Sequence, residues 1–121
     1  MEEVLVDWRA LDATGEQIGE RAFNQLLGMM PPTLADCRGR LVATLPAGDP
    51  EEVRRIVHEI KGIAGNFNCA RAQRLAQGIE TALRAGIVPA EAIATLGLVL
   101  ADTEAAFSAR LEADRGSPSR P

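Results

Sequence analysis

The stretch HEIKGIAGNFN, residues 58–68, holds the only histidine of the chain and two glycines, Gly62 and Gly65, inside a helical pattern. Val53, Ile56, Val57, Ile60, Ala64 and Phe67 recur at the spacing of one helical face. On a wheel stepped at about 100° per residue these six residues fall within about 60° of one direction. His58 falls almost opposite. Around it lie Glu51, Arg54, Lys61, Gly62 and Gly65. The wheel thus separates a core face from a face built around an imidazole.

Each glycine inside a helix weakens it by about 1 kcal/mol relative to alanine. Two of them on the histidine's face, one and two turns beyond it, point to close approach from outside. A buried core histidine conflicts with the wheel, and an indifferent surface histidine leaves the glycines unexplained. Lys61 and Arg54 bring positive charge beside the ring. A neutral imidazole nitrogen is a nucleophile near pH 7 without help from a base. Once it carried a phosphoryl group, adjacent cations would stabilise the negative oxygens. The face therefore suits a histidine that accepts and donates a phosphoryl group. Delivery would be in line, from another protein's phosphorylated side chain.

Outward from this segment the helical pattern continues. Asp49 is a good N-cap, Pro50 suits the first helical position, and Glu51 and Glu52 suit the first turn. The segment 46–50, PAGDP, is a clear break before it. Asn66 or Asn68 can close the helix, because asparagine tolerates the left-handed conformation. Residues 69–85 form the next helix, with Ala72, Leu75, Ala76, Ile79 and Leu83 in register and Gly86 as its stop. Residues 89–113 form the last, through Ile93, Leu96, Val99, Leu100, Thr103 and Phe107. Upstream, 7–13 reads as a short helix ended by Gly15. Residues 16–30 follow, Pro31-Pro32 interrupts or restarts the pattern, and 33–45 continues it. Residues 115–121 read as a flexible C-terminal tail after a single unit over 1–114. Short loops between amphipathic helices predict an all-α antiparallel four-helix bundle with a short additional N-terminal helical segment.

Composition narrows the function classes. Hydrophobic residues make up 46% but aromatics only 3%, so the core must be mainly aliphatic. The net charge of -4 lacks the basic surplus of a general nucleic-acid binder, so no nucleic-acid partner is expected. No apolar run approaches the length of about 18 residues needed for a membrane span, and the acidic start, MEEVLVDW, is unlike a signal peptide. A cytoplasmic protein without a membrane partner is expected, with Cys37 and Cys69 as reduced thiols. One histidine and two scattered cysteines offer no zinc site. No phosphate-binding glycine loop is present, so no ATP site or other cofactor site is expected.

The string His58-Glu59-Ile60-Lys61-Gly62, with the small residues after it, resembles the signature of histidine-containing phosphotransfer (HPt) domains. The run from Ile79 and Glu80 through Leu83 and Arg84 to Gly86 resembles the end of the next helix in that family. The resemblance covers nearly the whole chain. It implies a bundle that carries a phosphoryl group on His58 between receiver-domain aspartates in a multistep two-component phosphorelay. Its partners would be receiver domains of response regulators or hybrid histidine kinases. The protein would be a monomer, and the Mg²⁺ would belong to the receiver alone. Lys61 matches the family lysine beside the phosphoryl group, Gly62 the glycine that opens access, and Arg84 a second basic residue of some members. Gly65 and Arg54 join the candidate site. One departure is Asn68, where the family has glycine. Since the chain begins at Met1 and holds no other motif, a free-standing protein is expected.

Two other readings use the same residues. His58-Glu59-Ile60-Lys61 also resembles the phosphoacceptor box of sensor kinase dimerisation domains, although Gly62 and Ile63 replace the residues that follow it there. That reading implies a dimeric phosphotransferase. A helical adaptor that binds a response regulator without chemistry is the third, and it would tolerate replacement of His58. Trp8 reads as a core or staple residue, Met29 and Met30 as core or docking patch, and Cys69 as structural. Leu5, Leu11, Ile18, Phe23 and Leu27 are candidates for an apolar docking surface.

Overall fold

Asp49 opens the central helix as its chemistry demands. Its carboxylate accepts from the Glu51 backbone N–H at 3.2 Å, and Pro50 takes the first helical position. In this computed structural model, which describes residues 3–45 and 48–115, the helices are α1 (Trp8–Ile18), α2 (Glu20–Ala43), α3 (Pro50–Asn66), α4 (Ala70–Arg84) and α5 (Ala90–Arg115). There is no strand among the described residues. The C-terminal tail expected from 115 lies outside the described residues from 116 onward.

The helices α2, α3, α4 and α5 close a ring, each packed on the next and α5 back on α2. That is the expected antiparallel four-helix bundle. Its core is mainly aliphatic, with Leu27, Leu41, Val57, Leu96 and Leu100 fully buried, and Phe107 is the one fully buried aromatic among the described residues. The helix α1 lies on α2, and its Trp8 meets Phe107 of α5 edge to face at 5.1 Å. The Arg110 guanidinium sits 4.9 Å from the Trp8 ring and pairs with Asp12 at 2.8 Å. Trp8 is thus the staple that fastens the N-terminal helix to the bundle.

Three expectations need correction, two of them about helix boundaries. Gly15 does not end α1. The helix runs to Ile18, and Gly19, at φ 95°, makes the break. Gly15 is a packing notch instead: a Cβ there would stand 2.5 Å from the Phe23 ring. Nor do Pro31 and Pro32 interrupt α2, which passes through both. Each proline removes a helix donor, but Leu27, Met30, Leu34, Cys37 and Leu41 stay in one buried register across the pair. Burial of that stripe, chiefly against α5, outweighs the local penalty. Finally, α5 is long and apolar enough to cross a membrane by length and composition, contrary to the expectation of no such run. Its apolar side forms bundle core.

Asn68 carries the turn between α3 and α4. It is the one non-glycine residue with positive φ, 56°, among the described residues. Across it the Cys69 N–H returns to the Ala64 carbonyl at 2.8 Å, which closes the helix end. The Asn68 carbonyl accepts from the Asp7 N–H, also at 2.8 Å, so the N-terminal strap is tied to this turn.

Candidate functional site

The antiparallel pairing of α3 and α4 sets His58 opposite Glu80, Lys61 opposite Gln77 and Gly65 opposite Gln73. The α3 steps of three and four residues are matched by equal steps backwards along α4, so one face of each helix supplies every rung. His58 is 68% exposed, whereas Glu80 is only 3% exposed. The His58 Nδ1 lies 3.3 Å from Glu80 Oε2. Lys61 Nζ lies 2.9 Å from Glu80 Oε1 and donates to Gln77 Oε1 at 3.3 Å. At Oε1 the lysine makes a close ion pair without the alignment of a full hydrogen bond. Arg84, one turn along α4, reaches Glu80 Oε2 at 3.8 Å.

Burial works to push the Glu80 carboxyl up, but the close contacts and charges of Lys61 and His58 outweigh it and hold the group below the usual carboxylate range. Glu80 is therefore ionised at neutral pH and can only accept. The imidazole must donate from Nδ1 to satisfy it. In the neutral ring this leaves the lone pair on Nε2, within a largely exposed side chain. The geometry presents a nucleophilic nitrogen to an incoming group and fixes its ring from behind.

The other candidates divide. Lys61 stands in the cluster, and Arg84 reaches it through a longer contact. Arg54 is bound to Glu51 on its own helix. Gly62 is exposed, and a Cβ there would meet nothing within 4 Å, so that surface is open. At Gly65 a Cβ would come within 3.0 Å of Gln73 Nε2. The opening read there is filled from within the molecule, by an α4 side chain. Cys69 is fully buried, and burial pushes its thiol up to about 12, away from reactivity.

Glu59 turns the other way. Arg40 of α2 grips both its carboxylate oxygens at 3.0 Å and also holds Asp36 at 3.1 Å. The clasp joins α2 to α3 one residue from His58. Of the apolar docking candidates, Leu11 and Leu27 are core residues, Leu5 and Phe23 are half-buried, and Ile18 is exposed. Met30 is buried, while Met29 is 59% exposed.

Sequence reading gave Glu80 no role of its own, although it belongs to a quoted motif. A signal was present: Glu80 falls four residues after Ala76, on the buried stripe of its helix. An acid on an apolar face needs a partner. Gln77 and Arg40 gave no such signal, since both lie on exposed helix surface.

The chain resembles a solved structure of histidine-containing phosphotransfer protein B (HptB) from Pseudomonas aeruginosa PAO1. The two share 22% sequence identity and superpose with a TM-score of 0.79, over 90% of this chain and 96% of that one. No curated protein matches the sequence significantly. The family model described as Hpt domain matches residues 23–113, from the first turn of α2 almost to the end of α5 and across the whole His58–Glu80 cluster. With three quarters of its length under that match and the same bundle around one exposed histidine, the chain belongs to the Hpt domain family.

Proposed function

We propose that His58 is the phosphoacceptor, and that the protein carries a phosphoryl group between receiver-domain aspartates in a two-component phosphorelay. The observation that carries this reading is the exposed imidazole whose Nδ1 is held by the buried Glu80. The Nε2 lone pair attacks phosphorus as the receiver's acyl phosphate bond breaks, and the electron pair stays on the receiver's carboxylate. Lys61 and Arg84 stabilise the phosphoryl oxygens. Arg54 is a further cation on the same helix, available once it leaves Glu51. The Mg²⁺ that accompanies the acyl phosphate would belong to the receiver.

The receiver would dock over the bare surface at Gly62. On α2 the positions Ala22, Leu26, Met29, Thr33, Asp36 and Arg40 recur at steps of four and three, so one stripe leads to the clasp beside His58. Its exposed Leu26 and Met29 supply apolar contact for a docking partner. The rival reading as a dimeric phosphotransferase has less support, since one chain completes the bundle and Glu59 is held by Arg40. A monomer in the cytoplasm is the expected form.

The test is transfer from a panel of phosphorylated receiver domains, with His58→Gln beside the parent protein. Loss of phosphate from at least one receiver to the parent alone supports the proposal. Transfer to neither protein from any receiver, with both folded, would favour a non-catalytic adaptor.

A further inference from the structure

Glu80 sits where it can act on the phosphorylated ring as well as on the free one. When Nε2 takes the phosphoryl group, the proton already on Nδ1 has two fates. If it leaves for solvent, the ring becomes a neutral phosphoimidazole, and breaking the P–N bond would expel an imidazolate, a poor leaving group. If it stays, breaking the P–N bond returns the electron pair to Nε2 and releases neutral imidazole. No further proton has to move. Which form prevails depends on the charges facing Nδ1.

Those charges can be named. From α4 come Glu80, in hydrogen-bond contact, and Arg84 behind it. From α3 itself come Lys61, already paired with Glu80, and Arg54, paired with Glu51. The nearest charged pair toward α2, Arg40 and Glu59, is closed on itself. The cations oppose a proton on Nδ1. The phosphoryl oxygens favour it wherever the ring sits; among the side chains, the one in contact that favours it is Glu80, at 3.3 Å with its side chain only 3% exposed, where a charged hydrogen bond is strong.

We propose that Glu80 retains the Nδ1 proton on phosphorylated His58 and thereby keeps the phosphoryl group labile, so that this carboxylate is a positioning residue that sets the lifetime of the phosphorylated state. The inference rests on the reading of His58 as phosphoacceptor and adds to it a control on how readily the group leaves. Arg84 and Lys61 pull the other way, and Glu80 holds both of them. The lifetime is thus set by a balance inside one cluster rather than by the ring alone.

The experiment phosphorylates the parent protein, Glu80→Gln and Lys61→Met with phosphoramidate and follows loss of phosphate by intact mass across the pH range. The amide in Glu80→Gln cannot be charged but can still accept from Nδ1, so ring orientation is kept while the charge is removed. The expected result is a rate profile displaced to lower pH in Glu80→Gln, with phosphate lost about tenfold more slowly near neutrality, the factor worth one unit of proton affinity. Lys61→Met, which removes an opposing cation, should move the profile to higher pH. Circular dichroism confirms that each variant is folded. A Glu80→Gln profile that overlays the parent's, or moves to higher pH, overturns the inference while leaving His58 as phosphoacceptor. Failure of the parent to take phosphate on His58 would instead bring down the underlying reading, and the inference with it.

Discussion

His58 meets Glu80 through Nδ1 and exposes most of the rest of its ring, and the two residues differ in exposure by a wide margin, 68% against 3%. A buried carboxylate survives only with partners. Here they are the imidazole, the Lys61 ammonium and, more distantly, Arg84. Removing the closest of them leaves the charge underpaired. Lys61→Met should therefore lower the unfolding free energy by about 1–3 kcal/mol, measurable by urea denaturation, as well as weakening any phosphoryl site. A stability equal to the parent's would mean that Lys61 serves the phosphoryl group alone. His58, Lys61 and Arg84 were legible in the sequence because charge and glycine shared one helical face, or because a motif at the end of the next helix matched. That Glu80 needs a partner was readable from its place on the buried stripe of α4, but that the partner is His58 was not, since only the register of α3 against α4 brings the two opposite.

At the scale of elements, three glycines inside helices act in three ways. Gly62 faces open space, Gly65 makes room for Gln73, and Gly15 seats the Phe23 ring. Alanine scanning should separate them. Gly62→Ala should stabilise α3 by about 0.5–1 kcal/mol, the ordinary gain from a helical alanine, yet slow phosphotransfer by crowding the docking face. Gly15→Ala, whose Cβ would clash with the ring at 2.5 Å, should cost about 1–3 kcal/mol. If Gly62→Ala gains stability and transfers at the parent rate, the open surface there is not a docking surface. Caps and breaks were readable where one residue decides them, as at Asp49, Asn68 and Gly86, whose φ is 81°. The reading failed at Gly15 and at Pro31-Pro32. There the deciding contact comes from another helix, the Phe23 ring in one case and the packing of the α2 core stripe on α5 in the other.

On the scale of the whole molecule, the bundle is a ring of four helices with α1 stapled across α2 and α5, and acid should loosen it. Burial acts to raise the Glu80 carboxyl, and its partners overcome this to leave it depressed; Arg40 likewise holds Glu59 low. A depressed carboxyl contributes stability above its unfolded value of 4.5 and loses it as pH falls through the folded value. Stability to urea should thus decline below about pH 4.5, and less steeply in Glu80→Gln. The share from Glu59 will be small, because that pair is about half exposed and screened by solvent. Identical acid limbs in both proteins would place the sensitivity elsewhere.

The most direct test of His58 as phosphoacceptor is to locate the phosphate. The protein is treated with phosphoramidate and, separately, with phosphorylated receiver domains, and its intact mass is read beside that of His58→Gln. One acid-labile phosphate is expected on the parent protein, on His58 Nε2, and none on the variant. Phosphate on both proteins, or on neither while both are folded, would contradict the assignment.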